Sequence, residues 1–496
     1  MTPARAPTAG AVHVSARCWG WRHAGRRAFA ARHLDLEIQA GERVLLLGAS
    51  GAGKSTVLHG LAGVLGSSDE GEQEGELLLD GVSPAVARGR AGLVLQDPET
   101  QVVLARVGDE VAFAAENLAV PREEIWQRVG RALDDVGLDL PLDHSTTALS
   151  GGQKQRLALA SVLAMEPGLL LLDEPTANLD PAGVIEVRDA VVQVLERTGA
   201  TLVVVEHRVA VWADVVDRVV VLDADGGILA DGAPDAVLRE SSVRSRLAAA
   251  GVWIPDWHPP LGGRAPDGAG DTLLSARDLS VARSRRGAAA VQQLDIDVRS
   301  AGALSITGPN GAGKSTAALT LGGLLRPRAG RLEASAALAG TAGSDPFRWR
   351  STQLVQRIGT VFQEPEHQFL TSTVQEELEF GPRRVDGTVD GARIAEVAER
   401  LRLTHLLEAN PFTLSGGEKR RLSVATMLAT APRILILDEP TFGQDALTWA
   451  ELVTLFRDLI DDGVGVVSVT HDADFIAALG GATLHIAGGA GRLVAR

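Results

Sequence analysis

Several features are scarce in this chain of 496 residues, and each scarcity excludes a class of protein. Cys18 is the only cysteine, so no disulfide can form within the chain, which is typical of a protein from a reducing compartment. No apolar run approaches the roughly 20 residues that a membrane-spanning helix needs. The N-terminus lacks the apolar core of a signal peptide. We therefore expect a protein of the cytoplasm or of the inner face of a membrane.

Basic charge is also in short supply. The chain has 48 basic and 63 acidic residues, which gives a formal net charge of −15. Sequence-independent binding to nucleic acid relies on many Lys and Arg contacts with phosphate, so the acidic balance argues against it. The apolar share of 45% and the charged share of 22% are typical of a folded, soluble protein rather than a disordered one.

Lysine is the scarcest basic residue, and the few lysines present reveal a repeat. Lys54 and Lys314 lie in identical GAGKST strings, and Lys154 and Lys419 each follow an SGG triplet. Equivalent positions of the two strings are 260 residues apart. A repeat of this length predicts two copies of one domain, each large enough for its own core. We place the domains at 11–240 and 272–496, with a linker at 241–271 in which residues 253–271 are rich in Pro and Gly.

Within each copy, short Val/Leu/Ile runs alternate with longer helical patterns. In the first copy, the run Arg43–Leu47 leads into the glycine-rich string, and an apolar-periodic helix is predicted from Lys54 to Val64. Continuous apolar strands between helices favour a mostly parallel sheet that is buried on both faces. The stretches 97–148 and 364–413 have helical patterns and are predicted to be inserted helical subdomains.

The two strings that contain Lys54 and Lys314 fit the pattern G-x4-G-K-[ST]. At a turn from strand to helix, such glycines let backbone N–H groups surround phosphate oxygens, while the lysine reaches the β and γ phosphates. The following serine can bind Mg²⁺ through its hydroxyl. The alternative is a glycine-rich turn with a chance lysine, and two matches at the repeat spacing argue against it.

Acidic pairs end two later apolar strands, as Asp173-Glu174 and Asp438-Glu439. An aspartate at this place can hold Mg²⁺, and the adjacent glutamate can polarise an attacking water. The alternative is a pair of solvated carboxylates that cap a strand. His207 and His471 also follow β-branched strands; a lone histidine is more often structural, but the matched spacing favours function.

The strings LSGGQ at 149–153 and LSGGE at 414–418 each precede a predicted helix. A serine N-cap followed by two glycines exposes backbone N–H groups that can bind phosphate, although a plain helix cap is the alternative for either string alone. The basic runs at 154–156 and 419–421 are interpreted as solvated helix faces.

With these motifs, the chain resembles a tandem ATP-binding-cassette (ABC) ATPase over about residues 11–240 and 272–496. The resemblance implies two P-loop NTPase domains, each with a RecA-like α/β core, a helical subdomain and an antiparallel β subdomain. It also implies ATP and Mg²⁺ as cofactors. D-loops match at Ala177–Asp180 and Phe442–Asp445.

The resemblance assigns roles to individual residues of both copies. The catalytic residues are Glu174 and His207 in the first copy and Glu439 and His471 in the second. The metal ligands are Ser55, Gln96, Asp173, Ser315, Gln363 and Asp438. The nucleotide contacts of the first copy are Trp21, Gly48, Gly51, Gly53, Lys54, Ser55, Thr56, Gln96, Ser150, Gly151, Gly152 and Gln153. Those of the second copy are Gly308, Gly311, Gly313, Lys314, Ser315, Thr316, Gln363, Ser415, Gly416, Gly417 and Glu418.

In the family, two cassettes close head to tail around two ATP molecules. Lys54 is then expected to share its nucleotide with Ser415, and Lys314 to share its nucleotide with Ser150. Two departures make the sites unequal. Trp21 (or Trp19) matches the aromatic residue that stacks on adenine, whereas the second copy has Arg283 near that place, so we expect weaker selection for adenine there. The signature also reads Gln153 in one copy and Glu418 in the other.

A narrower resemblance follows the two glutamines Gln96 and Gln363. The strings VLQDPETQVV and VFQEPEHQFL, at 94–103 and 361–370, are similar to the ATPase subunits of energy-coupling-factor (ECF) importers, which take up vitamins and transition-metal ions. That resemblance implies a transmembrane coupling subunit and a small membrane substrate-binding subunit as partners, and a peripheral location on the cytoplasmic face of the cell membrane. Two alternatives stay open. One is a tandem ATPase of a sugar importer, and the other is a soluble tandem ABC protein that acts on ribosomes or nucleic acid.

Overall fold

The computed structural model describes residues 10–26, 28–66, 70–177, 179–261, 270–284 and 287–494. The chain divides into two compact units, and the main boundary along the sequence falls between Pro259 and Pro260. Each unit builds its own sheets and its own hydrophobic core.

The first unit contains two sheets. A six-stranded sheet has the order β5-β6-β7-β3-β8-β9, in which the first five strands are parallel and β9 is antiparallel to β8. A three-stranded antiparallel sheet has the order β2-β1-β4. The strands are β1 (Val14–His23), β2 (Ala31–Ile38), β3 (Arg43–Gly48), β4 (Gly71–Leu79), β5 (Ala91–Val94), β6 (Leu169–Asp173), β7 (Thr201–Val205), β8 (Arg218–Leu222) and β9 (Ile228–Gly232).

The helices of the first unit cover the parallel sheet and form an insert between β5 and β6. Helices α2 to α5 come from this insert, together with a short 3-10 turn at Thr146–Ala148. The α-helices are α1 (Lys54–Ala62), α2 (Pro98–Gln101), α3 (Val107–Asn117), α4 (Arg122–Asp135), α5 (Gly151–Leu163), α6 (Pro181–Thr198), α7 (Val209–Trp212), α8 (Pro234–Leu238) and α9 (Ser241–Ala249).

The second unit repeats this plan. Its parallel strands have the order β14-β15-β16-β12-β17, and β18 is antiparallel to β17. Strands β11, β10 and β13 form the antiparallel part. The strands are β10 (Thr272–Val281), β11 (Val291–Arg299), β12 (Gly302–Thr307), β13 (Ala329–Ala334), β14 (Ile358–Val361), β15 (Ile434–Asp438), β16 (Gly465–Val469), β17 (Ala482–Ala487) and β18 (Ala490–Val494).

The helices of the second unit also include an insert, here between β14 and β15. Short 3-10 turns lie at Pro346–Arg348, Pro365–Gln368, Thr404–Leu406 and Pro411–Thr413. The α-helices are α10 (Lys314–Leu321), α11 (Ala336–Ala339), α12 (Ser351–Val355), α13 (Val374–Asp386), α14 (Gly391–Arg400), α15 (Gly416–Leu428), α16 (Ala446–Asp461) and α17 (Ala473–Leu479).

The buried strands explain why the sequence folds in this way. Every residue of β3, β6 and β7 is buried, as expected for strands that are covered by helices on both faces. Each unit thus has the α/β core, helical insert and antiparallel β part that the sequence predicts. The predicted fold class is confirmed.

Two helices end earlier than the apolar pattern predicts. Helix α1 ends at Ala62 because Gly63 adopts the left-handed conformation, with φ of 70°. Helix α10 ends at Leu321, although the apolar pattern continues to Leu324 and Leu325, because Gly322 and Gly323 follow it and Gly323 has φ of 73°. The apolar residues beyond these glycines continue the pattern but not the helix.

Part of the segment predicted as a linker is ordered. Helix α9 lies at Ser241–Ala249, and Leu247, Val252 and Ile254 are buried in the core of the first unit. Residues 262–269 of the predicted linker lie outside the described residues. The domain limits 11–240 and 272–496 stay a prediction. Among the described helices, each is too short or too polar to cross a membrane.

Candidate nucleotide-binding and catalytic sites

Each glycine-rich string forms the turn between a buried strand and a helix. In the first unit the turn joins β3 to α1, and Gly51 and Gly53 have φ of 83° and 85°, which favours glycine. A Cβ atom on Gly53 would lie 2.1 Å from the Ala30 carbonyl oxygen. In the second unit, a Cβ atom on Gly308 would lie 1.9 Å from the Ile486 carbonyl oxygen. The neighbouring backbone therefore requires glycine at these two positions.

The two P-loop lysines are buried, and their ammonium groups lie inside their own loops. Lys54 Nζ donates to the carbonyl oxygens of Gly48 and Ala49, both at 2.9 Å. Lys314 Nζ donates to Gly308 at 2.8 Å and to Pro309 at 3.1 Å. Burial lowers the pKa of Lys54 although nearby carboxylates act in the opposite direction. A polyphosphate in this loop would supply the negative charge that favours the ammonium form.

The serine after each lysine meets the aspartate at the end of the neighbouring strand. The Ser55 hydroxyl bonds to the Asp173 carboxyl, and Ser315 bonds to Asp438 in the same way. Burial, followed by the charge of Glu174, raises the pKa of Asp173 to about 6. Burial also raises the pKa of Asp438. The structure therefore brings together the serine and aspartate that the sequence predicts as metal ligands.

These oxygen atoms fit a magnesium ion. Asp438 Oδ1 is buried and has no hydrogen-bond partner among the described residues. A buried carboxylate oxygen without a donor is costly, and a divalent cation would stabilise it. Hydroxyl and carboxylate oxygens are also the ligands that Mg²⁺ prefers.

The glutamate after each aspartate has an unusual backbone. Glu174 has φ of 47° and Glu439 has φ of 49°, values that are rare for residues other than glycine. Such strain costs about 1–3 kcal/mol and clusters at functional sites. Its presence at the same position of both units favours a catalytic role over a solvated strand cap.

The first unit gathers three predicted residues around Glu174. Gln96 Nε2 donates to Glu174 Oε2 at 2.8 Å, and His207 Nε2 lies 3.2 Å from Glu174 Oε1. Burial alone would raise the pKa of Glu174, but the interactions with His207, Lys54 and Gln96 outweigh it and lower that pKa. Glu174 is therefore held in the ionised form that a general base needs.

Glu439 has a different environment in the second unit. Thr470 Oγ1 donates to Glu439 Oε2 at 3.2 Å, and His471 Nε2 lies 3.9 Å from Oε1. Burial, followed by the charge of Asp438, raises the pKa of Glu439 to about 7. Gln363 follows β14 just as Gln96 follows β5. The pKa values of the two glutamates are therefore shifted in opposite directions although both follow the aspartate of the same Asp-Glu-Pro-Thr string.

The signature serines are helix caps in both units. Ser150 is the N-cap of α5 and forms a reciprocal capping box with Gln153, with distances of 2.9 and 3.3 Å. Ser415 and Glu418 form the same box at the start of α15, with distances of 2.8 and 3.4 Å. Gln153 and Glu418 thus have one local role, and the difference between them is charge. The glycines that follow each serine, Gly151, Gly152, Gly416 and Gly417, start the two helices.

The prediction of a solvated position is wrong for one basic residue, Arg420. The runs at 154–156 and 419–421 were expected on solvated faces, but Arg420 is buried. Arg420 Nη1 donates to the carbonyls of Phe362 and Asp438, at 3.3 and 3.4 Å. It joins the end of β14 to the end of β15, next to Glu439. Arg420 is buried because it lies on the face of helix α15 that packs against the sheet.

The structure argues against Trp21 as the residue that stacks on adenine. Trp21 and Trp19 are 4% and 0% exposed and belong to the core between the antiparallel sheet and α1. Trp21 pairs with Ala31, just as Val281 pairs with Val291 in the second unit, so Trp21 corresponds to a core valine.

The exposed residue two positions later, His23, is the aromatic side chain that reaches the P-loop in the first unit. His23 Nε2 lies 3.4 Å from the Thr56 hydroxyl. Its equivalent is Arg283, because Trp21 and Val281 are equivalent. Sequence reasoning missed His23 because it could not tell where β1 ends.

Two strand-to-helix phosphate loops, each next to an acidic strand end, define the class of this protein as a tandem P-loop NTPase. Both units match the ABC transporter family, over residues 31–177 and 291–442. The chain therefore belongs to the ABC transporter family, and it is an ATP-binding ATPase with two cassettes.

Relatives extend this match over most of the chain. YkoD of Bacillus subtilis (strain 168), whose name proposes an HMP/thiamine import ATP-binding role, is 34% identical over 476 residues, which cover 90% of this chain and 84% of the relative. A second relative, from Caldanaerobacter subterraneus subsp. tengcongensis, has a name that proposes an ABC transporter ATP-binding role. It is 31% identical over 492 residues, which cover 90% of this chain and 85% of the relative. The solved structure of RNase-L Inhibitor aligns with a TM-score of 0.59 at 19% identity, over 96% of this chain and 89% of that one. This last likeness concerns the fold alone.

Proposed function

We propose that this ATPase drives an importer of the ECF type, with a vitamin, a vitamin precursor or a transition-metal ion as cargo. The observation that carries the proposal is the 34% identity with a relative named for HMP/thiamine import, extending over 90% of the chain. HMP and thiamine are therefore the first cargoes to test. The two Q-x-P-E-x-Q strings support the same subgroup. The partners are a transmembrane coupling subunit and a small membrane substrate-binding subunit, and the ATPase binds peripherally at the cytoplasmic face.

The site geometry supports the following roles for the residues that bind ATP and Mg²⁺. Lys54 and Lys314 bind the β and γ phosphates of ATP within their loops. The Mg²⁺ ligands are Ser55, Gln96 and Asp173 in the first unit and Ser315, Gln363 and Asp438 in the second. When bound, Mg²⁺ neutralises charge on the phosphates.

Catalysis is assigned to the strained glutamates and the histidines beside them. Glu174 and Glu439 orient the attacking water and accept its proton, and both sites hydrolyse ATP. His207 and His471 lie next to the Oε1 atom of each carboxylate and hold the carboxylate in place. His23 contacts adenine in the first site, and Arg283 occupies the equivalent place in the second, which supports weaker adenine selection there.

In this proposal each ATP lies between the P-loop of one cassette and the signature of the other. Lys54 works with Ser415 and Lys314 works with Ser150. The open N-terminal turn of α5 or α15 would face the γ phosphate, where its N–H groups and helix dipole favour an anion.

The Q-x-P-E-x-Q strings also have a structure that suits a membrane partner. Gln101 bonds back to β5, through Leu93 and Leu95, and Glu110 accepts from the backbone N–H of Val103 and Leu104 at 3.0 and 2.6 Å. The second unit repeats this with Gln368 and Glu377 around Leu370 and Thr371. In each unit, hydrogen bonds from a glutamine and a glutamate side chain to the backbone thus fix the conformation of the loop; we call these two segments the braced loops.

The braced loops expose an apolar side chain at the same position in each unit. Val103 is 64% exposed and Leu370 is 67% exposed. Large apolar side chains on a fixed loop are suited to burial against another protein. We assign them to the contact with the transmembrane coupling subunit.

An uptake experiment tests the function. The gene is deleted in its own cell, and uptake of labelled HMP and thiamine is measured with the wild-type gene or the Lys54→Ala/Lys314→Ala variant restored. We expect wild type alone to restore uptake of one of them. Unchanged uptake of both after deletion would contradict this cargo, and labelled transition-metal ions or sugars then test the remaining importers.

Extraction in mild detergent tests the partners. We expect small, highly hydrophobic membrane proteins to co-purify with the tagged chain, and Val103→Asp/Leu370→Asp to lose them while keeping the ATPase activity of the purified chain. Co-purification of ribosomal proteins or nucleic acid, without a membrane protein, would contradict the importer and favour a soluble tandem ABC protein.

A further inference from the structure

The buried acid Glu206 in the first unit has no role in the site described above. It directly follows β7 and precedes His207, and its residue is 5% exposed. The equivalent residue of the second unit is Thr470, so this position differs between the cassettes at the centre of the site. A buried acid of this kind is costly unless donors surround it.

Donors from two loops surround Glu206. Its Oε1 accepts from the backbone N–H of Thr176 at 3.0 Å and from the Thr176 hydroxyl. Its Oε2 accepts from the backbone N–H groups of His207 and Arg208, at 3.0 and 3.2 Å. Thr176 lies two residues after Glu174, so one carboxylate joins the loop of the general base to the loop of the histidine.

The second unit makes the same connection with a different residue. Thr441, the equivalent of Thr176, donates its hydroxyl proton to Asp472 Oδ2 at 2.9 Å. Asp472 follows His471, and its Oδ1 also caps α17 through the N–H of Phe475 at 2.9 Å. The first unit has Arg208 in place of Asp472, and Arg208 provides no side-chain cap. A carboxylate thus links the same two loops in both units, from either side of the histidine.

We propose that Glu206 is the positioning residue of the first ATP site, fixing the loop of His207 against the loop of Glu174 in place of the aspartate that does so in the second. In this role Glu206 acts through His207, whose backbone N–H it accepts from. The 3.2 Å between His207 and Glu174, compared with 3.9 Å between His471 and Glu439, agrees with a tighter connection. This inference rests on the catalytic roles proposed for Glu174 and His207.

The test uses the full chain with Glu439→Gln, so that turnover comes from the first site. Glu206→Thr, which introduces the residue of the second unit, removes the carboxylate. We expect kcat to fall about tenfold or more, with KM for ATP almost unchanged, because residues that orient a catalytic group typically contribute about 10–100-fold to activity. The double change Glu206→Thr/Arg208→Asp rebuilds the Thr-His-Asp sequence of the second unit and is expected to recover most of kcat.

Glu206→Gln and Thr176→Val give two further measurements if Glu206→Thr is poorly folded, and thermal unfolding is followed for every variant. Unchanged kcat in Glu206→Thr, or a loss that Arg208→Asp does not recover in a folded protein, would overturn the proposal. His207→Ala in the same background separates the two hypotheses. If it keeps full kcat, the proposed role of His207 fails; if it loses kcat while Glu206→Thr does not, only the role of Glu206 fails.

Discussion

At the scale of single residues, the two general-base candidates titrate differently. The pKa of Glu439 is raised to about 7 by burial and then by Asp438, whereas the interactions with His207, Lys54 and Gln96 lower the pKa of Glu174. A base must be deprotonated, so the second site loses activity as the pH falls through about 7. The first site keeps its ionised base over the same range.

This difference predicts the pH profiles of two variants. The ratio kcat/KM for ATP reports groups of the free enzyme. We expect it to fall by about tenfold per pH unit below about pH 7 in Glu174→Gln, where only the second site turns over, and to fall less in Glu439→Gln. Both variants use the same ATP, so ionisation of the substrate cancels when their profiles are compared. Parallel profiles would contradict the assigned difference in pKa between Glu174 and Glu439. Separately, unchanged single-turnover hydrolysis in either variant would mean that the altered site binds ATP without hydrolysing it.

His23, which we propose as the residue that contacts the base in the first site, gives a second prediction at this scale. In the Lys314→Ala background, His23→Ala is expected to weaken ATP binding by about 1–3 kcal/mol, the usual value of one stacked base. Its effect on the unfolding temperature should be small, because the structural contact it removes is the 3.3 Å hydrogen bond from Trp21 Nε1 to His23 Nδ1. Trp21→Ala is expected to destabilise the fold by about 3–5 kcal/mol, since the ring is buried in the core. Titration with a fluorescent ATP analogue and thermal unfolding measure both. A larger loss of affinity in folded Trp21→Ala would restore Trp21 as the base contact.

The sequence predicts residues within contiguous motifs more successfully than residues that only the fold brings together. Lys54, Ser55 and Asp173 are recognisable because a strand end, a glycine loop and a helix start fix their chemistry locally. His23 and Glu206 are not, because one depends on where β1 ends and the other on which loop lies opposite β7. Arg420 was missed for a related reason: a charged residue in a basic run gives no sign that its helix faces the sheet.

At the scale of elements, helices α5 and α15 begin with a cap that also serves as a candidate phosphate site. Ser150→Ala removes the cap, and we expect a loss of about 1 kcal/mol in stability together with lower ATPase activity. Ser150→Asp keeps a good N-cap but places a negative charge at the helix start. We therefore expect normal thermal unfolding and a loss of ATPase activity. Full activity in Ser150→Asp would mean that the serine is only a helix cap.

Element boundaries depend on backbone features that the apolar pattern does not contain. Leu324 and Leu325 continue the pattern of α10, yet Gly322 and Gly323 end the helix before them. The prolines and glycines at 253–271 predict a linker, and the predicted linker begins at 241, whereas Leu247 and Val252 anchor its first part in the core of the first unit. The ordered part, helix α9 and the residues after it, lies before most of these prolines and glycines and packs on the first unit through its apolar side chains.

At the scale of the whole molecule, the two units keep the same candidate catalytic residues but differ in the residues around them. Both units keep the P-loop lysine, the serine and aspartate that are predicted to bind metal, and the strained glutamate. The surrounding residues differ at three pairs of equivalent positions: Glu206 and Thr470, Arg208 and Asp472, and His23 and Arg283. The contacts that join the glutamate loop to the histidine loop lie within one unit in each case, so the residues that make these contacts can change in one unit without a matching change in the other. Unequal turnover of the two sites is the expected consequence.

The head-to-tail pairing proposed for the cassettes gives the last prediction, since each signature should then serve the P-loop of the other copy. In the full chain, Ser415→Asp is expected to reduce photolabelling of the first cassette by 8-azido-ATP and to spare the second, because the new carboxylate repels phosphate at the Lys54 site. Ser150→Asp is expected to do the reverse. Peptide mapping after labelling locates the loss, and Ser242→Asp, an exposed change outside both sites, is the charge control. A loss in the same cassette as the substitution would mean that each signature serves its own P-loop, and the head-to-tail arrangement would have to be abandoned.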